Sequence, residues 1–166
     1  MLNAHEASDL EALAALWADP ETVRHIGRTP SSHQESWFRL LRYRGLWPLL
    51  GFGYWAIRDK MTGRFMGDVG FADFHRPIEP SITGLPEAGW VLAPWAHGHG
   101  FATEALAAAL IWLDSLDVHR RVACLIGNDN FASFNVAQKN GFISVSSVAA
   151  GLADSTLLIR DKKQQK

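Results

Sequence analysis

The stretch that decides the fold is residues 90–116, which read WVLAPWAHGHGFATEALAAALIWLDSL. It begins with a short apolar run, breaks at Pro94 and crosses a loop that holds Gly98 and Gly100. Alanine and leucine at helical spacing follow, so the pattern predicts a strand, a glycine loop and a helix. The missing loop side chains and the unpaired amides of the first helical turn, at residues 101–104, favour a bound anion such as a pyrophosphate. A glycine loop is also an ordinary turn, so this spacing alone leaves a purely structural role open.

Length, composition and charge limit the classes of protein to which the chain can belong. A chain of 166 residues with 48% apolar and 20% charged residues fits one globular domain, which we assign to residues 1–166. The formal charge of −1 provides no global field for nucleic acid or for an anionic membrane, so we expect neither as a partner. The apolar runs are too short to cross a bilayer and no secretory signal is visible, which favours a cytoplasmic protein.

Cysteine and histidine usage argues against a metal site. Cys124 is the single cysteine, so neither an internal disulfide nor a cysteine-based cluster is expected. It lies in an apolar run at 122–126, where a buried, inert thiol is the expected state. His97 and His99 flank a glycine of the loop, but the sequence places no third ligand beside them.

The remaining segments alternate between helical and strand patterns. Ser8 with Glu11, and Ser32 with Glu35, have the spacing of capping boxes that begin two amphipathic helices. The strand patterns lie at 52–58, 64–74, 87–92, 122–126, 142–148 and 155–160, with a last helix at 131–139. This order predicts an α/β fold with a mixed sheet.

The glycine loop resembles the acyl-CoA loop of the GNAT superfamily of N-acyltransferases, and the likeness covers nearly the whole chain. In that family a strand leads into Gln/Arg-x-x-Gly-x-Gly/Ala, and here His97, Gly100 and Ala102 occupy the three defined positions. The resemblance implies a mostly antiparallel central sheet that is flanked by helices and splayed where acyl-CoA binds. It also implies transfer of an acetyl group from acetyl-CoA, as cosubstrate and without a metal, to a primary amine.

Three motifs are similar to a narrower branch of that superfamily. Residues 101–105, the pair Asn130-x-x-Ser133 and residues 139–142 resemble the branch that includes the ribosomal-protein N-terminal acetyltransferases. The acceptor that this implies is a small molecule or a protein N-terminus, and the protein would be a monomer or a homodimer.

The resemblance assigns the residues that would hold acetyl-CoA. The backbone amides of the loop would bind the pyrophosphate, the strand before it would line the splay and pair with the pantetheine amides, and the last helix would supply polar contacts. In chain order these residues are Trp90, Val91, Leu92, His97, Gly98, His99, Gly100, Phe101, Ala102, Thr103, Asn130, Ser133, Asn135 and Lys139.

Two positions depart from the family pattern. Many members place a tyrosine seven residues after the asparagine, where it protonates the leaving thiolate, but this chain has Ala137 there. Ser133 is the substitute nearest the expected thiol, and bulk water is the alternative. His97 stands where Gln or Arg is usual, which implies a weaker or pH-dependent phosphate contact.

Glu87 is the candidate general base. The transfer needs a neutral amine, because an ammonium has no lone pair with which to attack the thioester carbonyl. Glu87 lies at the start of the strand that would meet the cosubstrate, so it could accept a proton directly or through water. The alternative is that it only orients the strand or pairs with an arginine.

Two functions follow from these residues. The first is an N-acetyltransferase that works by direct attack in a ternary complex, since Cys124 on a core strand argues against an acyl-cysteine intermediate. The second is an acyl-CoA-binding module without useful turnover, which the missing tyrosine and His97 both favour. A dinucleotide-binding oxidoreductase does not fit, because the loop lacks the third glycine of that fingerprint.

Overall fold

A seven-stranded sheet forms the centre of the computed structural model, which describes residues 1–27, 29–150 and 153–162. In space the strands follow the order β1-β2-β3-β4-β5-β7-β6, and every neighbouring pair is antiparallel except β4 and β5. The mixed, mostly antiparallel sheet is thereby confirmed. The strands are β1 (Leu2–Ala4), β2 (Tyr54–Arg58), β3 (Phe65–Ala72), β4 (Glu87–Leu92), β5 (Arg121–Gly127), β6 (Ile143–Ala150) and β7 (Ala153–Asp161).

Helices cover both faces of this sheet. Two 3₁₀ turns, Ala7–Asp9 and Pro94–Ala96, precede α1 and α4 respectively. Among the described residues no helix combines the length and apolar character that a membrane span requires. The α-helices are α1 (Leu10–Ala18), α2 (Pro20–Val23), α3 (His33–Leu50), α4 (Phe101–Ser115) and α5 (Phe131–Lys139).

The two faces of the sheet carry separate apolar clusters. Along β4, Ala88 and Leu92 pack beneath α4 together with the buried helix residue Leu106, whereas Val91 packs beneath α1 and α3. This alternation follows from the two-residue period of a strand. Glu87 shares the parity of Val91, so its side chain lies on the face that α1 and α3 cover.

The strands β4 and β5 pair only where they begin. Glu87 opposite Ala123 is the one register pair, and the Ala123 amide donates to the Pro86 carbonyl at 3.0 Å. Beyond that point the two strands diverge, which leaves the β5-facing edge of residues 88–92 without a strand partner among the described residues. This is the splay that the GNAT resemblance implied.

A buried polar network ties the N-terminal segment to the sheet beneath α1. Asp68 on β3 accepts from His5 at 2.7 Å and from the Trp17 indole at 3.3 Å, and both ionisable side chains are almost fully buried. Desolvation raises the pKa of Asp68, while the hydrogen bonds from His5 and Trp17 oppose that shift. The network fixes Trp17, whose ring also lines the cavity described below.

The helix starts show which local signals are reliable. The second predicted capping box is confirmed, because the Ser32 hydroxyl accepts from the Glu35 amide at 3.2 Å and Glu35 accepts from the Ser32 amide at 2.6 Å. The first predicted capping box, Ser8 with Glu11, is wrong in register. Asp9 caps the Glu6 amide at 2.9 Å instead, since the chain begins to coil one 3₁₀ turn earlier.

Candidate active site

A cavity of about 580 Å³ opens at the splay between β4 and β5. Its volume falls within the range of small-molecule sites. It gathers residues from two predicted segments that are distant in sequence: Glu87, Trp90 and Val91 of β4, and Asn130 and Ser133 at the start of α5. The topology therefore brings together the two residues predicted to act in catalysis.

Leu92 is the exception among the strand residues predicted to line the splay. Its side chain is 5% exposed and packs in the core beneath α4, on the face opposite Glu87. Trp90 has the same strand parity and also packs against that core, but it still lines the cavity. Leu92 instead contributes its carbonyl oxygen, which accepts a hydrogen bond from the His97 ring at 2.8 Å.

The loop before α4 presents a row of backbone amides that donate to no other described residue. Gly98 and Gly100 have φ of +79° and +81°, and open space surrounds the point where a Cβ would stand on either residue. Glu104 donates its amide to the Gly100 carbonyl at 3.1 Å, so the free amides of the first turn end at Thr103, one residue earlier than predicted. The geometry is that of an anion site at a helix N-terminus.

The His97 side chain is turned back toward β4. Its Nε2 donates to the Leu92 carbonyl, so a neutral ring carries its proton on Nε2 and has only a lone pair on Nδ1. A phosphate contact from this ring therefore requires the protonated imidazolium. His99 is exposed and its ring lies 5.7 Å from that of Phe101. No group of three or more His, Cys, Asp or Glu side chains suited to a metal occurs in the described part of the chain.

The start of α5 positions the other polar residues. Asn130 caps the helix, since its Oδ1 accepts from the Ser133 amide at 3.1 Å, and its amide nitrogen is left to donate into the cavity. The Ser133 hydroxyl makes no hydrogen bond to the described residues. Asn135 and Lys139 are exposed farther along α5, outside the cavity lining. Their contact with the far end of the cosubstrate stays a prediction.

Glu87 is buried at the cavity wall and has one charged partner among the described residues. The Nε of Arg76 donates to Oε1 at 3.0 Å and to Oε2 at 2.7 Å, while Glu87 itself is 5% exposed. Burial would lower the pKa of Arg76, but the hydrogen bond and negative charge of Glu87 outweigh it and raise that pKa. Glu87 thus has the position in the cavity that is expected of a general base. It also has the arginine partner that is expected if its role is only structural.

The family model for the acetyltransferase (GNAT) domain matches residues 1–143. The chain belongs to the GNAT acetyltransferase family. A curated relative, the uncharacterised protein YkkB of Bacillus subtilis (strain 168), is 33% identical over 91 residues, which are 55% of this chain and 51% of that protein. The match thus spans about half the length of that relative.

Solved structures of GNAT proteins share the whole architecture. A candidate GnaT-family acetyltransferase from Bordetella pertussis is 28% identical, with a TM-score of 0.84 over 96% of this chain and 93% of that one. The spermidine N-acetyltransferase of Vibrio cholerae, solved with CoA and spermine, is 16% identical, with a TM-score of 0.73 over 96% and 93% of the two chains. At that identity the second likeness concerns the fold alone.

The sequence did not predict that α3 forms one wall of the cavity. Arg39 and Arg42 both line the cavity, one helical turn apart. The Arg39 guanidinium lies 3.6 Å from the centre of the Trp17 ring, and desolvation lowers its pKa. On a helix with other arginines these two side chains have the pattern of a solvent-facing stripe, and only the packing of α3 against β2 and α1 shows where they point.

Two tyrosines complete that wall. Tyr43 and Tyr54 stack with ring centres 4.3 Å apart, and both line the cavity. The Tyr54 hydroxyl lies so close to Gly89 that a Cβ there would collide with it. Burial, and then the charge of Glu87, raise the pKa of Tyr54, so its phenol remains protonated at neutral pH.

Cys124 is not available as a nucleophile in this GNAT chain. It lies on β5 with 1% of its surface exposed, and burial raises the pKa of its thiol. A thiol must ionise to attack a thioester, so the buried, protonated state argues for direct attack by the acceptor amine.

Proposed function

We propose that this chain is an acetyl-CoA-dependent N-acetyltransferase that transfers the acetyl group to a primary amine by direct attack in a ternary complex. The observation that carries the proposal is the cavity at the β4–β5 splay, because Glu87, Asn130 and Ser133 all line it. An acyl chain that enters along the open β4 edge would meet all three.

The cosubstrate would be held mainly by backbone. Gly98 and Gly100 have no side chain to obstruct a pyrophosphate that approaches the amides of residues 98–103. The unpaired edge of β4 offers further amides and carbonyls to the two amide groups of pantetheine, much as a sheet edge accepts an added strand. The free side-chain nitrogen of Asn130 would donate to the same arm.

Two proton transfers accompany the reaction. The attacking amine loses a proton as its nitrogen bonds to the acetyl carbon, and the sulfur gains one as the C–S bond breaks. Arg76 occupies one acceptor direction on each oxygen of Glu87, which leaves the others to receive the amine proton, directly or through a water. The Ser133 hydroxyl would donate a hydrogen bond to the departing sulfur, with water as the alternative donor.

The acceptor is a small-molecule amine or a protein N-terminus. Resemblance of residues 101–105 and 139–142 to the ribosomal-protein N-terminal acetyltransferases favours the protein N-terminus. The cavity volume favours a small molecule, since the acetyl-pantetheine end must share the same space. A second function, acyl-CoA binding without turnover, is favoured by Ala137 at the usual tyrosine position.

Thiol release tests the proposal. The purified protein is incubated with acetyl-CoA and a panel of primary amines, free CoA is measured with a thiol reagent, and the N-acetyl product is identified by mass spectrometry. Transfer to at least one amine is expected. Tight CoA binding by calorimetry without thiol release from any amine would instead identify the protein as a binding module.

A further inference from the structure

The cavity wall that α3 contributes is strongly basic. Three arginines, Arg39, Arg42 and Arg76, line the cavity against one carboxylate, that of Glu87. Arg76 is already paired with Glu87. The whole chain carries a formal charge of only −1, so this concentration of cations is local to the site.

Neither Arg39 nor Arg42 forms a salt bridge with a described carboxylate, although the charges of Asp68 and Glu35 act on Arg39 from beyond salt-bridge distance. Arg39 donates one hydrogen bond, to the Ser31 hydroxyl at 3.2 Å, and its guanidinium carbon lies 3.6 Å from the centre of the Trp17 ring. Burial of the guanidinium lowers its pKa, and so does the like charge of Arg42, whereas Tyr43, Asp68 and Glu35 act in the opposite direction. A desolvated cation beside a second cation is a costly arrangement unless an anion joins it, which suggests that one does.

The third cation extends the same surface. The guanidiniums of Arg42 and Arg76 lie 5.8 Å and 4.8 Å from the centre of the Phe74 ring. The Phe74 ring thus lies near two guanidinium groups. Arg76 is paired with Glu87, and Arg42 forms no salt bridge with a described residue. Along this surface a positive subsite adjoins the carboxylate that the proposed mechanism uses.

We propose that the acceptor is a small primary amine that also carries an anionic group, a carboxylate or phosphonate, and that Arg39 and Arg42 bind this group. The inference rests on the proposed acetyltransferase function and names its substrate class. Guanidinium groups bind such oxyanions through paired, charge-assisted hydrogen bonds. With the anion held there, the amine of the same molecule lies toward Glu87, whereas a polyamine would place positive charge against the arginines.

Matched acceptors test the charge requirement. Thiol release is measured at saturating acetyl-CoA for β-alanine against β-alaninamide and for L-aspartate against L-asparagine, with spermidine as the polycation. Rates are compared per unit of neutral amine at several pH values, since the amines differ in basicity. We expect kcat/KM to be about 10-fold or more higher for the acid than for its amide in each pair.

Arginine variants locate the effect in the structure. Arg42→Gln, at an exposed position, and Arg39→Gln should each lower kcat/KM for the acids by about 10-fold or more and leave CoA affinity unchanged. The matched control is Arg44→Gln, because Arg44 is exposed on the same helix and lies outside the cavity lining. Loss of CoA affinity in Arg42→Gln would show that the arginines bind a phosphate of the cosubstrate, which overturns the proposal.

A binding measurement separates this inference from the proposed function. β-Alanine is titrated into the complex with CoA, which offers no acetyl group to transfer. Binding that Arg42→Gln abolishes, with no thiol release from any amine, would support the anion subsite and overturn the acetyltransferase assignment. Turnover of β-alaninamide or spermidine at least as fast as that of the acids would overturn the anion subsite and leave the acetyltransferase assignment in place.

Discussion

At the scale of single residues, the site depends on the carboxylate of Glu87 and its one partner. Glu87→Gln keeps the shape of the side chain but removes the proton acceptor, so the chemical step should slow by about 100-fold or more with little change in CoA affinity. The rate of the parent should rise with pH on the acid side, because only the neutral amine can attack the thioester. The measurement is the pH profile of turnover at saturating acetyl-CoA.

Arg76→Gln is the control for Glu87, since it breaks the ion pair and spares the carboxylate. If Arg76→Gln slows turnover as much as Glu87→Gln, and the acid limb of the profile is unchanged in both, the role of Glu87 is to hold Arg76. The proton would then pass to a water chain or to solvent.

Ser133 tests how the leaving thiolate is stabilised. Its hydroxyl is free and lines the cavity, and a hydrogen bond to a developing anion is worth about 1.5–3 kcal/mol, so Ser133→Ala should slow turnover by roughly 10- to 150-fold. Ala137→Tyr should not rescue it, because Ala137 is fully buried in the core and a ring there would overpack α5. A Ser133→Ala enzyme as fast as the parent would leave water as the acid.

Cys124 provides a test of direct attack. Because its thiol is buried and its pKa is raised, Cys124→Ala should retain turnover per molecule of folded protein, and iodoacetamide should modify the parent only after unfolding. Detection of an acetyl group on Cys124 after incubation with acetyl-CoA alone would contradict direct transfer.

At the scale of elements, the buried Asp68 links β3 to α1 and to the segment that follows β1. Its removal leaves His5 and the Trp17 indole without their partner in the core, so Asp68→Ala should lower the free energy of unfolding by about 3–5 kcal/mol. Asp161 is the contrast, since its ion pair with Arg121 is mostly exposed and Asp161→Ala should cost no more than about 1 kcal/mol. Urea unfolding measures both, and equal losses would refute the importance of the network.

Elements with a strong local signal could be predicted from sequence. The strand–loop–helix unit of β4 and α4 was predicted because its pattern, an apolar strand, a glycine loop and then apolar residues at helical spacing, is visible within one short stretch of sequence. β1 was not predicted, because three residues with one half-buried leucine are too few to show an alternation of apolar and polar residues. The strand forms through its antiparallel pairing with β2. The two arginines of α3 were missed as site residues for a related reason, as their role depends on which face of the helix packs inward.

At the scale of the whole molecule, the site is a property of the topology. The parallel contact of β4 with β5 ends after its first pair, and this brings the start of α5 to the open edge of β4, with the loop of α4 at its far end. No local pattern specifies that divergence, and its prediction came from resemblance to the GNAT fold. The same resemblance led to the expectation that Leu92 would line the splay. Its side chain packs in the core, and contact of its backbone edge with the cosubstrate stays a prediction.

The central claim is that acetyl-CoA binds where the loop before α4 meets this splay. Gly100 has φ of +81° and open space around it, so Gly100→Val places a branched side chain where the pyrophosphate would lie. Gly63→Val is the matched control, because Gly63 has φ of +71° with equally open surroundings in the turn between β2 and β3. Both variants bear a similar backbone strain, and only one should affect the ligand.

The deciding measurement is calorimetric titration of CoA into the parent, Gly100→Val and Gly63→Val, each shown to be folded by circular dichroism. We expect the affinity of Gly100→Val to fall by about 10-fold or more, as donors to the charged pyrophosphate are lost, while Gly63→Val binds like the parent. A folded Gly100→Val protein that binds CoA as tightly as the parent would contradict the assignment of this loop.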